Sequence, residues 1–442
     1  MLISFFYRDF KEMFFLNSLI LHKRIPMERK KIQRHHELRL ALISVLIGIC
    51  CCFLAFSLKT LTEYFQEIIF STAEKSNPLI FIFLPTVGIT AIYFLRKYLF
   101  RNRKNKGITE IYKTVDQRKD HLPLFKIPSH YFNGFLTVIF GGSTGIEVST
   151  VVASATVGNA AYEKNFSANV YKLEMVCAGV VAGVAVLFGS PLAGWLFAME
   201  VIARKFSKTL FISCTVSALV SWLFMSFFKT EHLLPYLLTG WKWEAVPYFG
   251  LLSILGALLS VYFTVLVIRI KDFFAGISSE FIKVNLGALL VGLLIFSFPF
   301  LYGDSYHPLR ELLSGSQTYP VIFLAALIFL KPLASALTLG AGGDGGVFAP
   351  SIVAGAFLGF CLAYCCNTYL GMTFNMVNFA LIGAAATLSA SIYAPFTALF
   401  LVCNLVPNGF VLFFPILICS LISRFLAQKI YPYNVYTYYL KN

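Results

Sequence analysis

Apolar residues are gathered into long runs along this chain, and short polar and basic stretches separate the runs. The runs cover residues 40–58, 78–95, 209–228, 247–270, 285–302, 319–338, 373–404 and 411–427. Several approach the ~20 residues that a helix needs to cross a bilayer, whereas others are interrupted by Gly and Pro. Interrupted segments are tolerated at membrane depth only where protein or a cavity surrounds them. The pattern therefore predicts an all-α, multi-pass membrane protein that contains broken helices.

Two glycine-rich stretches repeat one another, so that Glu147 falls on Phe348. Residues 141–159 read GGSTGIEVSTVVASATVGN, and residues 342–360 read GGDGGVFAPSIVAGAFLGF. A second matched pair follows, at residues 188–200 and from residue 393. A duplicated Gly-rich turn before an apolar segment is typical of transporters built from two repeats, whose broken helices point at the substrate. We predict two inverted helical repeats, at 35–230 and 245–440, that meet at one site.

Composition and charge agree with a bilayer as the surrounding solvent. Hydrophobic residues make up 58% of the chain and charged residues 13%, where soluble domains average about 25% charged. The net charge of +15 lies largely in residues 1–34 and 96–126, between apolar runs. This placement indicates orientation by the positive-inside rule and not a nucleic-acid partner, so the N-terminus is predicted to be cytoplasmic. Segment 1–34 is a basic cytoplasmic segment, either an interfacial helix or disordered.

The turns before the two matched helices favour an anion as the substrate. A helix that starts after a Gly-rich turn leaves backbone N–H groups unpaired near Ile146 and near Val347, and these groups and the helix dipole attract an anion. The alternative is that the glycines only allow close helix packing. The ten Cys and seven His show no spacing typical of a metal site, so we predict no metal, cofactor or disulfide.

Glu147 is the most informative single residue of the first turn. It is the only acidic residue between Asp120 and Glu163, and a carboxylate within a membrane segment is rare and costly. Ionised, it can occupy an anion site; protonated, it can leave that site, which makes it a candidate gate. The alternative is a carboxylate that stabilises the N-terminus of its own helix.

These motifs resemble the CLC family of chloride channels and proton-coupled anion antiporters, over most of residues 40–440. The family motif G-R-E-G-P corresponds to GIEVS at 145–149, and G-x-F-x-P corresponds to GVFAP at 346–350. The pattern P-L-A-G-x-L-F-x-x-E is present at 191–200, and Tyr436 stands where the family has a tyrosine that closes the inner side of the anion pathway. The resemblance implies a bacterial-type member in the inner cell membrane that forms homodimers through segments such as 209–228.

The resemblance also implies a set of anion-binding residues. They are the members of three helix-start turns and the late tyrosine: Lys106, Gly107, Ile108, Val148, Val347, Phe348 and Tyr436. Lys106 departs from the family, whose first turn has a serine that touches the central anion. A lysine there either points inward and binds the anion or Glu147, or points outward as one more basic residue of the cytoplasmic face.

Two further departures concern protons. Val201 stands where the family's antiporters usually have an inner glutamate, and valine cannot relay a proton. His130 replaces a basic residue of relatives and is either a pH-sensing group or an ordinary surface or capping histidine. Glu200 is expected to make a structural hydrogen bond.

The function predicted from the sequence is transport of chloride or a similar small anion through a pathway gated by Glu147, channel-like or weakly proton-coupled. The alternative on the same fold is a stoichiometric anion/proton antiporter. A membrane enzyme or receptor would need a cluster of nucleophile, base or metal ligands, and the sequence contains no such cluster.

Overall fold

The protein is almost entirely helical, as predicted. The computed structural model describes residues 2–100, 103, 105–116, 122–165, 170–228, 232–238, 240–315 and 319–440, with side chains from Arg34 onward. The helices of the first half are α1 (Leu2–Ser76), α2 (Ile80–Phe94), α3 (Ile108–Asp116), α4 (Lys126–Ile139), α5 (Glu147–Asn165), α6 (Lys172–Phe188), α7 (Pro191–Phe197) and α8 (Lys208–Phe227). Those of the second half are α9 (Val246–Ala275), α10 (Glu280–Ser297), α11 (Tyr306–Ser314), α12 (Val321–Ala341), α13 (Phe348–Tyr369), α14 (Met376–Ile392), α15 (Pro395–Cys403) and α16 (Phe413–Ile430).

Eight of the described helices are long and apolar enough to cross a membrane, and two shorter apolar segments accompany them. The short segments are Pro191–Ala203 and Met376–Ile392. The apolar run 373–404 contains two helices and not one, because Tyr393 takes a left-handed backbone conformation (φ 57°) and Pro395 then starts α15. In segment 1–34, for which helix and disorder were both open, the described residues 2–34 belong by their backbone to α1.

The turns that precede α5 and α13 are held together by reciprocal hydrogen bonds. The Ser143 N–H donates to Thr338 Oγ1 of α12 (3.1 Å), and the Asp344 N–H donates to Thr137 Oγ1 of α4 (2.9 Å). Each threonine hydroxyl in turn donates to the backbone carbonyl four residues earlier in its own helix. Each bond therefore has a counterpart 201 positions away with the roles of the two halves exchanged. This reciprocity is what two inverted repeats require, whereas the limits 35–230 and 245–440 remain a prediction.

Glycines at matched positions bring the helices behind the turns into backbone contact. A Cβ added to Gly158 of α5 would lie 2.1 Å from the carbonyl oxygen of Met175 in α6. A Cβ on Gly359 of α13 would lie 1.9 Å from the carbonyl oxygen of Phe379 in α14. Both distances are far below contact, so the sequence uses glycine where a neighbouring backbone crosses. One interpretation of the repeated glycines was that they allow close helix packing, and Gly158 and Gly359 serve this purpose.

We expect Gly359→Ala to destabilise the protein by about 1–3 kcal/mol, since a new methyl group in a packed interior forces backbone shifts. Gly250→Ala is the matched control, because a Cβ at Gly250 of α9 meets no atom within 4 Å. The measurement is the melting temperature of the detergent-solubilised protein. Equal melting temperatures for the two variants would contradict the close crossing of α13 and α14.

Candidate anion site

The two Gly-rich turns meet in the structure. Gly145 and Gly346 form an isolated antiparallel β-bridge, and Thr144 Oγ1 donates to the carbonyl oxygen of Asp344 (3.4 Å). The helices that follow, α5 and α13, begin within three residues of this bridge. Their N-termini, with unpaired N–H groups and the positive ends of two helix dipoles, are thereby brought to one place. The residues predicted to share a site are therefore neighbours.

Glu147 places its carboxylate at this junction. The residue is the first of α5 and is 5% exposed. Its side chain folds back so closely that a Cβ on Gly145 would lie 2.0 Å from Glu147 Oε2. The carboxylate interacts with its own backbone amide and with that of Ala349 in the first turn of α13, while Oε2 is buried without a hydrogen-bond partner. The carboxylate thus occupies the position that the two helix N-termini make favourable for an anion.

Val148 and two glycines form the other wall of the junction. A Cβ on Gly107, at the start of α3, would lie 3.2 Å from Val148 Cγ1, and one on Gly346 would lie 2.1 Å from Val148 Cγ2. The three helix-start turns named in the sequence analysis therefore contact one another. A Cβ on Gly346 would also approach Tyr436 Oη to 3.4 Å.

Tyr436 is fixed by its backbone and offers a hydroxyl without a partner. Its N–H donates to Asn434 Oδ1 (3.0 Å), and its carbonyl oxygen accepts from Thr109 Oγ1 (3.3 Å). Its ring lies 6.2 Å from the ring of Phe348, centroid to centroid. The residue is 5% exposed, and Tyr436 Oη is buried with no hydrogen-bond partner by geometry, while the backbone amide of Val347 acts on it. A buried hydroxyl normally has one, so this hydroxyl is available to a bound anion.

A cavity of about 740 Å³ leads to the junction. Its inner wall includes Gly107, Ile108, Val148, Gly346, Val347 and Tyr436, and its charged lining consists of Arg96, Lys106, Lys113, Lys271, Asp272, Glu280, Lys283 and Asp344. Five cations and three acids give this lining an excess of positive charge, which raises the local concentration of anions. The basic residues place the cavity on the side that the sequence predicts to be cytoplasmic.

Lys106 lies on the wall of this cavity as an exposed residue. Its backbone N–H donates to Glu110 Oε1 (2.9 Å), which fixes the first turn to α3. Among the described residues, no ion pair joins Lys106 to Glu147. Of the two orientations left open, the structure therefore favours the one toward the open, predicted cytoplasmic side.

Lys331 is a charged residue near the site that the sequence analysis missed. It lies fully buried in α12, and its Nζ donates to Ser143 Oγ (2.8 Å), the carbonyl oxygen of Gly303 (2.8 Å) and Ser305 Oγ (2.7 Å). Three neutral oxygens satisfy the ammonium group, and the acidic groups whose charges act on it are Asp304 and Glu147. The sequence did contain a signal for this residue: Lys331 is the single lysine inside the apolar run 319–338. A charge within a membrane segment rarely lacks a role.

Glu200, Val201 and His130, the residues considered for proton coupling, have different environments. Glu200 Oε2 accepts from the N–H and the hydroxyl of Thr397 in the first turn of α15 (both 2.7 Å), which is the expected structural hydrogen bond. Val201 is buried and apolar. His130 is neither a surface nor a capping residue: it is 0% exposed and lies between the carboxylates of Glu110 and Asp344.

Comparison with known proteins identifies the family. The family model described as "Voltage gated chloride channel" matches residues 87–428. The H(+)/Cl(-) exchange transporter ClcA of Vibrio vulnificus (strain YJ016) is 25% identical over 412 residues, which cover 88% of this chain and 85% of that protein. The voltage-gated ClC-type chloride channel ClcB of Shigella flexneri is 25% identical over 311 residues, covering 68% and 72%.

Two solved structures share the fold. A CLC-type fluoride/proton antiporter superposes with a TM-score of 0.76 at 21% identity, covering 90% of this chain and 97% of that one. A slow cyanobacterial Cl−/H+ antiporter superposes with a TM-score of 0.78 at 18% identity, covering 91% and 97%. At these identities the likeness establishes the fold alone.

We expect Tyr436→Phe to weaken chloride binding by about 10- to 100-fold, because a hydrogen bond to a charged group contributes about 1.5–3 kcal/mol. Tyr438→Phe, a neighbouring change outside the cavity lining, serves as the control. Calorimetric titration of the purified protein with chloride at fixed ionic strength measures both. Equal affinities in the two variants would show that the Tyr436 hydroxyl does not bind the anion.

We expect Lys106→Ser to weaken chloride binding several-fold at low ionic strength and to lose this effect in high salt. An exposed charge acts through water and is screened over about 10 Å at 0.1 M salt. The same titration is run with an added salt of an anion that the protein does not bind, and Lys164→Ser, outside the cavity lining, controls for net charge. If Lys106 instead holds Glu147 in place, Lys106→Ser would tighten chloride binding. The double variant Lys106→Ser/Glu147→Gln tests this alternative, because Glu147 is then no longer charged. Unchanged affinity in both backgrounds contradicts any role in binding.

Proposed function

Because the chain belongs to the voltage-gated chloride channel family, we propose that it exchanges a small inorganic anion for protons across a membrane, with Glu147 as the gate. The observation that carries the proposal is the position of the Glu147 carboxylate. It occupies the junction of two helix N-termini, where an anion is favoured by the same dipoles.

The exchange mechanism follows from competition for one place. While the Glu147 carboxylate is ionised, it interacts with the amides at the starts of α5 and α13, and a free anion cannot use them. Protonation removes the charge, so the side chain loses its attraction to the junction and an anion can take its place. Release of the anion, return of the side chain and loss of the proton complete a cycle that moves the two ions in opposite directions.

The names of similar proteins support exchange over passive flow. The ClcA proteins of several Vibrio strains are H(+)/Cl(-) exchange transporters, and two neighbours in fold are described as antiporters. The sequence alone favoured a channel-like or weakly coupled pathway because Val201 replaces a glutamate. These comparisons favour the alternative, a proton-coupled antiporter, and chloride is the first anion to test, with fluoride as the second.

A chloride channel is the second candidate. Val201 is buried and offers no group that holds a proton. The Shigella flexneri relative ClcB is named a chloride channel. Both observations fit a protein in which the anion moves without a stoichiometric proton.

We further propose that the protein lies in the inner cell membrane with its N-terminus in the cytoplasm and forms homodimers. Helix α8 keeps a group of large apolar side chains exposed, namely Phe211, Leu219, Trp222, Leu223 and Phe227. Such a face is suited to lipid or to a second copy of the chain.

We expect the parent protein in liposomes to move protons against their gradient when a chloride gradient is applied, and Glu147→Gln to abolish proton movement. The glutamine mimics the protonated carboxylate, so chloride flux should persist and no longer change with pH. Proton uptake and chloride efflux are recorded in the same vesicles, with Glu163→Gln of the same helix as the control. Unaltered pH dependence of chloride flux in Glu147→Gln would exclude Glu147 as the gate. A parent that moves chloride without protons would favour the channel.

A further inference from the structure

A buried histidine lies between two carboxylates from distant parts of the chain. His130 Nδ1 is 3.1 Å from Asp344 Oδ2, and His130 Nε2 is 3.7 Å from Glu110 Oε2. The three residues belong to α4, to the turn before α13 and to α3. Each ring nitrogen thus faces an acid without a well-formed hydrogen bond to it. An imidazole between two acids can gain a proton on one side and release one on the other.

One of the two acids connects the histidine with the cavity. Asp344 lines the cavity wall, and so does Asn105, whose Nδ2 donates to Asp344 Oδ2 (2.6 Å). Glu110 lies on the far side of the ring, where Lys126 Nζ donates to Glu110 Oε1 (2.8 Å) and also to Asn105 Oδ1 (3.1 Å). Asp344 therefore joins the cavity wall to His130.

The charges around the ring favour its protonated form: burial alone would lower the pKa of His130, but Asp344 and Glu110 raise it. Glu110 and Asp344 contribute two negative charges, and Lys126 contributes one positive charge, so an imidazolium completes a neutral group. Burial alone would raise the pKa of Glu110, but the neighbouring charges of His130 and Lys126 hold this pKa below its usual value.

Cations behind Asp344 complete these surroundings. The Arg96 guanidinium donates to the carbonyl oxygen of Gly342 (2.7 Å), and its charge stabilises the Asp344 carboxylate. The Asp344 carboxylate in turn stabilises the charge of Lys271. Arg96 follows the end of α2, and Lys271 belongs to α9. Burial raises the pKa of Asp344, but the charges of His130 and Arg96 hold this pKa below its usual value and keep the carboxylate ionised. Asp344 therefore attracts a proton toward the ring by its negative charge without holding it.

Polar atoms continue from His130 toward the start of α5. Asn133, one turn further along α4, is fully buried and its Oδ1 has no protein partner. Ser149 of α5 packs against Gly134, where a Cβ would lie 2.5 Å from Ser149 Oγ, and this hydroxyl also lacks a partner. Buried polar atoms of this kind are normally satisfied by ordered water. The seam between α4 and α5 therefore offers groups for a short file of water that ends near Glu147.

We propose that His130 is the proton-exchange residue on the cavity side of the transporter, passing protons between Asp344 and the polar seam that leads to Glu147. The proposal rests on the proton exchange proposed above. For each proton that Nδ1 takes up from the Asp344 side, Nε2 releases one on the Glu110 side, and the route continues from there past Asn133 into the seam. One proton moves and the ring charge is restored. Val201 cannot hold a proton, and the route through α4 supplies a group that can.

His130→Lys tests this role, because a lysine keeps a positive charge between the two acids but does not pass a proton through a ring near neutral pH. We expect its proton flux in liposomes to fall at least about tenfold, in the range by which a positioned acid–base group accelerates proton transfer. Chloride affinity by calorimetry and the melting temperature report on the anion site and on the fold. The matched control is His307→Lys, which changes an exposed histidine outside the cluster. His130→Gln is the second variant, used if the His130→Lys protein does not fold.

The background variant Glu147→Gln separates a proton role from a structural one. If His130 serves protons, then adding His130→Lys to Glu147→Gln leaves chloride flux unaltered, because that flux no longer depends on protons. Chloride flux that falls in the double variant shows that His130 only supports the anion pathway, and the proposal is wrong. Proton flux within about twofold of the parent in both His130 variants also overturns it, while the exchange function stands. A parent that moves no protons overturns the exchange function itself and this proposal with it.

Discussion

The structure depends on the pairing of two helix-start turns in the interior of a membrane protein. The bilayer interior offers no hydrogen-bonding groups to the backbone N–H groups of these turns, so they need partners within the protein, a ligand or water in the cavity. Two threonines, Thr137 and Thr338, provide the partners in a reciprocal manner, each for the turn of the opposite half. The amides left over lie at the β-bridge between Gly145 and Gly346 and at the starts of α5 and α13. The anion site is thus a consequence of how two broken helices satisfy their ends.

This arrangement attracts an anion without a cation in direct contact with it. The buried cation Lys331, whose charge acts on Glu147, is satisfied by three neutral oxygens, one of them from the turn that carries Glu147. A direct ion pair would bind an anion strongly at close range, whereas dipoles and a cation held behind a hydroxyl bind it more weakly. Weaker binding suits transport, since a substrate must leave the site as readily as it enters. The same balance allows a carboxylate, that of Glu147, to take the place of the anion.

Protons and anions have different chemical needs, and the structure separates the groups suited to each. The anion junction is lined by backbone amides and by the unpartnered Tyr436 hydroxyl. The groups that exchange protons lie beside it, in the cluster of Glu110, His130 and Asp344 that borders the same cavity. Val201 is apolar, so a proton that reaches Glu147 from the cavity needs titratable groups elsewhere. The cluster on α4 is the place where the described residues offer them.

The sequence by itself determined the all-helical membrane fold, the pairing of the two Gly-rich turns and the choice of Glu147 as the candidate gate. These features are local: apolar run length, glycine spacing and an acid in an apolar stretch can each be read from neighbouring positions. Only the tertiary structure decided that Lys106 is an exposed residue of the cavity wall, that Lys331 lies behind the Glu147 turn and that His130 bridges two acids. These contacts join residues far apart in the chain, such as Asn105 and Asp344, 239 positions apart. Hydropathy and spacing predict which segments are helices, but the packing of those helices selects which polar side chains meet.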